Sequence, residues 1–292
     1  MDIGRLGCWT WIDGFSGPDA VAFAKRVEAW GYGALWIPEA VGREPFALIG
    51  HLAAHTSRLV FATGIANIYA RDPMTYRAIQ QTLGELTQGR FILGLGVSHA
   101  PLVEGVRGHT YEKPVSTMRA MLEAIPKCLY TGPAPEAEVP IVIAALRPKM
   151  LALAAELCAG AHPYNSPPEH TARAREILGK GPLLCPDQKA ILETDPSKAR
   201  SIARGALSTY LGLPNYRNNW IELGFGEDDF SDGGSDRLID AVFAWGDEKA
   251  IGERIQAHLD AGADHVCLQA ISGEGTMGPD EKILEIFAPA KN

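Results

Sequence analysis

Short apolar runs alternate along this chain with longer stretches whose apolar residues recur at helical spacing. Eight runs predict strands: Ile3 to Trp9, Ala34 to Ile37, Leu59 to Ile65, Phe91 to Leu95, Ile141 to Ala144, Ala161 to Tyr164, Leu183 to Leu192 and Asp264 to Ala270. Helices are predicted between them over 18–30, 45–54, 74–87, 115–129, 148–158, 169–178, 196–211 and 249–261. Asp19, Ser197 and Asp247 lie where N-terminal capping helps a helix, and Gly31, Gly89, Gly179 and Gly262 lie where helices stop. Strands that are apolar throughout suit a parallel sheet covered on both faces. A repeated βα rhythm with right-handed crossovers closes such a sheet on itself, so the expected fold is a single (β/α)8 TIM barrel over residues 1–292. Two segments are too long for plain connections, 103–114 after strand four and 214–237 after strand seven, and both are read as loop insertions and candidate lids.

Composition narrows the partners. The chain has 292 residues, a hydrophobic fraction of 46% and a formal net charge of -8, a balance that disfavours nucleic acid and leaves a small molecule as the expected partner. No apolar run reaches the length of a membrane span, and the first residues lack the pattern of a secretory signal, so no membrane association and a cytoplasmic location are expected. The five cysteines, Cys8, Cys128, Cys158, Cys185 and Cys267, are scattered without a Cys-x-x-Cys pair, which predicts reduced thiols. His51 and His55 share a helical face but have no third ligand nearby, and no metal is assigned.

Strand three breaks into Ala62-Thr-Gly-Ile-Ala-Asn67, and strand four into Gly94-Leu-Gly-Val-Ser-His99. Such breaks put glycine and polar groups at the carboxyl ends of strands, where an α/β barrel builds its active site. Gly94-Leu-Gly96 is no dinucleotide fingerprint, because the third glycine is absent. Gly96-Val-Ser98-His-Ala100 also has the spacing of a nucleophile elbow, but Pro101 to Gly108 reads as loop where an elbow needs an immediate helix; a serine hydrolase using Ser98 is the lesser alternative.

Together with Leu35-Trp-Ile-Pro-Glu39, Gly89-Arg-Phe-Ile-Leu-Gly-Leu-Gly96, Ile143-Ala-Ala-Leu-Arg-Pro-Lys-Met150 and Ala261-Gly-Ala-Asp-His-Val266, these segments resemble the luciferase-like monooxygenase superfamily, and within it the branch that uses the deazaflavin coenzyme F420. The resemblance implies an oxidoreductase that transfers hydride between coenzyme F420 and a small organic substrate, with an FMN-dependent monooxygenase as the alternative. It also implies a homodimer paired through barrel helices. Relatives that bind the deazaflavin carry a non-prolyl cis peptide behind its central ring, which here falls on Gly64 and Ile65. Asn67, Leu95 and Gly96 take coenzyme-contact positions, and Ser98 can hydrogen-bond a polar edge.

Glu39 ends strand two at the catalytic rim, placed to accept hydrogen bonds from the coenzyme. Many relatives follow this acid with a histidine proton donor, but here Ala40 follows. His99 is the expected substitute, with Tyr69, Asp72 and His109 as further candidates. Relatives that oxidise a sugar phosphate carry an acid where Val97 stands, which disfavours that substrate. Leu146 and Arg147 precede the helix after strand five, whose N-terminus suits a coenzyme phosphate. Relatives often have glycine there, so Arg147 is expected to supply charge in place of bare amides. Trp9 and Trp11 are expected to wall the substrate pocket, and Trp220 and Phe225 to serve on a lid.

Overall fold

The computed structural model describes residues 1–273 and 278–291. Every strand-to-strand pairing in its sheet is parallel. From β1 (Leu6–Trp9) the sheet runs through β2 (Ala34–Ile37), β3 (Val60–Thr63) with a short β4 (Ala66–Asn67), β5 (Phe91–Gly96), β6 (Ile141–Ile143), β7 (Gly160–Ala161), β8 (Leu183–Leu184) and β9 (Asp187–Ile191) to β11 (Val266–Ala270), which pairs with β9, while β10 (Phe243–Trp245) pairs with β9 on its other side. The registers that fix the order include Cys8 beside Leu35, Leu35 beside Phe61, Phe61 beside Phe91 and Leu93 beside Ile141.

Closure occurs around Pro186. Cys185 N–H donates to Ala161 O at 2.9 Å and Asp187 N–H to Pro163 O at 3.0 Å, while Cys267 N–H donates to Pro186 O at 2.8 Å from the other side. β8 and β9 are therefore two stretches of one barrel strand, and β11 returns to β1 with Leu6 beside Val266. This is the (β/α)8 barrel expected from the chain. Two strands were not anticipated. β4 continues the third strand past a cis peptide at Gly64–Ile65, and β10 pairs with β9 beyond the point where β7 has ended.

Several helices start on a residue whose side chain satisfies a free amide of the first turn. α1 (Gly17–Ala29) is capped by Ser16, with Asp19 in its first turn, α3 (Pro73–Leu86) by Asp72, α7 (Pro196–Leu211) by Asp195 in place of Ser197, and α10 (Glu248–Asp260) by Asp247. Gly31, Gly89, Gly179 and Gly262 all have positive φ. The remaining barrel helices are α2 (Pro45–Ala53), α4 (Pro114–Ala124), α5 (Pro148–Leu157) and α6 (Pro168–Leu178). Their apolar faces pack on the outside of the strands, while Trp9, Trp36, Val60, Ile92, Val142, Cys185 and Cys267 fill the barrel interior. All five cysteines are free thiols.

Of the two long segments, the first is regular only at its start and runs without helix or strand over 107–113, whereas the second is ordered. Pro101–Val106 forms a π-helical turn where loop was expected. The second segment folds into α8 (Pro214–Glu222), a 3-10 turn at Glu227–Phe230 and α9 (Asp236–Val242), with its own core of Leu207, Trp220, Phe230, Leu238 and Ile239. Among the described residues no helix is long and apolar enough to cross a membrane, and no group of three or more metal-ligating side chains is found.

Candidate active site

The carboxyl end of the barrel gathers most of the residues singled out in the sequence. At its centre is the junction of β3 and β4. Trp9 donates its indole N–H to Gly64 O at 2.9 Å, Gly64 N–H donates to Ile37 O at 2.9 Å, and Glu39 N–H donates to Ile65 O at 3.2 Å. A Cβ on Gly64 would lie 2.7 Å from Trp9 Nε1 and 3.3 Å from Trp36 Cβ, so the glycine makes room for the interior indoles. Gly96 does the same for Ile65, whose Cδ1 would stand 2.3 Å from a Cβ there. The Leu95 side chain points away into the sheet–helix core, and its carbonyl accepts from Ala144 N–H at 2.8 Å.

Glu39 is brought to this rim but is fully occupied. Its carboxylate accepts from Asn67 N–H at 2.8 Å and from Arg71 at 2.8 and 3.0 Å, with Arg107 at 3.8 Å and only 6% of the side chain exposed. The charge-assisted bonds hold the Asn67 backbone in place. The Asn67 side chain accepts from Tyr69 N–H, while its Nδ2 is buried without a partner.

His99 lies half-buried with its ring centroid 5.4 Å from that of Tyr216. Burial lowers its pKa, opposed by a hydrogen bond with Asn215, so the imidazole is held neutral, and Nδ1 is buried without a partner. Ser98 has a φ of 55° and its carbonyl accepts from the Tyr111 hydroxyl at 3.3 Å. Among the described residues no histidine hydrogen-bonds the Ser98 hydroxyl, and the wide turn beginning at Pro101 is not the helix of a nucleophile elbow, so the serine-hydrolase reading is not supported. Asp72 is spent as a helix cap, and His109 is exposed.

Arg147 stands at the start of α5 as expected, but its Nε donates to Glu222 of α8 at 2.7 Å. Its side chain is 49% exposed. No side chain caps α5. Leu146 O accepts from His170 Nε2–H at 2.6 Å. Trp220 is fully buried and donates to Asn165 O at 3.1 Å, so it anchors the cap to the sixth strand's loop and is not a mobile lid residue. Phe225 is half-buried beneath the Arg237 guanidinium.

Several polar groups at this end were not singled out in the sequence. Asn165, with φ 56°, has both side-chain polar atoms buried without partners, as do Ser166 Oγ, Asn219 Nδ2 and His170 Nδ1. Asp187 and Lys189 form an ion pair at 2.6 Å with each side chain 1% exposed, and the ammonium lies 3.5 Å from the Tyr164 ring centroid. The available signal was their spacing: charged residues two apart on a strand buried on both faces must share a side. Trp9 is wholly interior, while Trp11 is half-buried and edge-on to it at 5.5 Å.

Residues 5–265 match the luciferase-like monooxygenase family. A relative from Mycobacterium tuberculosis, whose name proposes a coenzyme F420-dependent oxidoreductase, is 24% identical over 250 residues, covering 71% of each chain. The coenzyme F420-dependent tetrahydromethanopterin reductase of Methanopyrus kandleri superposes with a TM-score of 0.71 at 19% identity, covering 99% of this chain and 98% of that one. The oxygenating constituent of 3,6-diketocamphane monooxygenase from Pseudomonas putida, a type II Baeyer-Villiger enzyme in complex with FMN, gives 0.70 at 17% identity, covering 98% and 97%.

Proposed function

We propose, from the premise that this chain belongs to the luciferase-like monooxygenase family, that it is an oxidoreductase transferring hydride between coenzyme F420 and a small organic substrate. The observation that carries the reading is the set of unpartnered buried polar atoms on Asn67, His99, Asn165 and Ser166 at or after the strand ends and on Asn219 of α8. An unsatisfied buried group costs about 1 to 3 kcal/mol, and five residues carrying such groups in one region suit a polar ligand that completes their hydrogen bonds. The relatives named for F420 favour the deazaflavin. FMN is the second reading, favoured by the likeness to the FMN-bound monooxygenase.

The coenzyme, when bound, supplies the redox chemistry, and the protein supplies position and electrostatics. The backbone around Gly64, Ile65, Leu95 and Gly96 would back the flat ring. Asn67 Nδ2 and Ser98 would meet its polar edge, and neutral His99 would take or relay a proton. Glu39 acts through Asn67, which it fixes, rather than by touching the coenzyme. Leu146 and Arg147, at the uncapped start of α5, would receive the phosphate once Arg147 leaves Glu222. The subunits pair through the outer helices, where Met74 and Leu86 are exposed; light scattering checks this, and a monomer at micromolar concentration would count against it. A fluorescence titration of the apo-protein with coenzyme F420 and with FMN tests the coenzyme assignment.

A further inference from the structure

A cation with no evident structural purpose lies beneath the mouth of the barrel. Asp187 Oδ2 holds Lys189 Nζ at 2.6 Å, and Asp187 Oδ1 accepts from Asn165 N–H at 2.6 Å, so the carboxylate is committed on both oxygens. Replacing such a buried pair with apolar residues is often neutral or stabilising, and barrel interiors ordinarily use Val, Ile and Leu. What distinguishes this pair is where it puts the charge. The ammonium faces the Tyr164 ring, and the hydroxyl of this half-buried residue donates to Gln269 Oε1 at 3.0 Å and lies 3.3 Å from the Tyr210 hydroxyl.

We propose that Tyr164 is the proton donor to the substrate's oxygen, that Lys189 positions and electrostatically supports it, and that the substrate is a flat, uncharged aryl or conjugated carbonyl compound or the corresponding alcohol. The proposal rests on the coenzyme reading only for the source of hydride. A cation under the ring attracts a phenolate more strongly than a phenol, and the Tyr210 hydroxyl can donate to the phenolate oxygen. Burial holds the phenol protonated at rest, as an acid requires. The substrate class follows from the surroundings. Trp9 and Tyr210 flank the Tyr164 ring at centroid distances of 5.1 and 5.6 Å, and Tyr216 lies at 6.4 Å. Among the described residues the charged side chains set against it, Lys189 and Asp187, form a neutral pair, so a neutral conjugated molecule is matched and a charged one is not.

In the reducing direction the bound coenzyme would supply the hydride for a C–H bond at the carbonyl carbon, and the C=O π pair would move onto oxygen. That oxygen takes the proton from Tyr164 Oη. The Tyr164 O–H bond breaks, a substrate O–H bond forms, and the phenolate is reprotonated from Tyr210 and then solvent. The alcohol is oxidised by the reverse sequence.

The test uses the coenzyme-free full-length protein and carbonyl-labelled acetophenone, read by isotope-edited infrared spectroscopy. The expected result is millimolar binding, with the bound carbonyl band shifted to lower wavenumber. That shift is lost in Tyr164→Phe and reduced in the paired variant Lys189→Met/Asp187→Asn, which leaves no unpaired buried charge. Wild-type protein containing 3-fluorotyrosine, a stronger acid, should show a larger shift, and this arm stands even if a variant fails to fold. Absence of binding, a shift that survives Tyr164→Phe, or no change with fluorotyrosine would each overturn the proposal. Because no coenzyme is present, failure of the F420 assignment leaves these outcomes unaffected.

Discussion

Trp9 and Gly64 are locked together across the intervening β2 at the rim of the barrel: the indole N–H donates to the glycine carbonyl at 2.9 Å, and a Cβ on the glycine would strike that same nitrogen. The two residues set where the junction of β3 and β4 sits relative to the interior.

Trp9→Phe should therefore destabilise the protein by about 2 to 4 kcal/mol, from one buried carbonyl left without its donor plus lost packing. Gly64→Ala should cost about 1 to 3 kcal/mol by overpacking. Urea denaturation measures both. A double variant less destabilised than the sum of the two would confirm that they share one contact.

Arg147 and Glu222 form an exposed pair, worth no more than about 1 kcal/mol to folding. Their importance is expected in binding. Arg147→Ala should weaken the phosphate-bearing coenzyme by about 1 to 3 kcal/mol and lessen its salt dependence, whereas Glu222→Gln should tighten binding by releasing the guanidinium. Isothermal titration at two ionic strengths reads both effects. Unchanged affinity in Arg147→Ala at low salt would remove the arginine from the site.

Buried histidines give the fold an acid-sensitive stability. Burial lowers the pKa of His258 to about 3 and of His265 to about 4, from an ordinary 6.5. The native rings stay neutral while the unfolded ones take up protons, so their contribution is full above the unfolded pKa and is lost as pH falls from there toward the folded values. Each adds a slope of up to about 1.4 kcal/mol per pH unit in that window. Denaturation midpoints at pH 7 and pH 5 should differ accordingly. Equal stability at the two would contradict the neutral, buried assignment.

The sequence made the barrel legible because its strands are buried on both faces and read as unbroken apolar runs, as at Phe91 to Leu95. It hid α8 and α9, where Asn218, Asn219, Gly233 and Gly234 obscure the helical period and the order comes from Trp220 inserted beneath Asn165. The predicted helix over 115–129 ends at Ala124 and passes into a 3-10 turn at Ile125–Lys127, where Pro126 cannot continue the α-helical hydrogen bonding. The position of Glu39 could be read locally. Its engagement could not, because Arg71 and Arg107 reach it from distant parts of the chain. Lys189 and Asp187 were visible only as a polar interruption in an apolar strand, and their relation to Tyr164 arises from barrel closure.

On the function proposed above, the rim of this barrel holds a deazaflavin in preference to a flavin. Fluorescence-quenching titration of the apo-protein with oxidised and reduced coenzyme F420, run beside FMN under the same conditions, tests it most directly. Tighter binding of coenzyme F420, weakened by Arg147→Ala, is the predicted result; equal or tighter binding of FMN would contradict it.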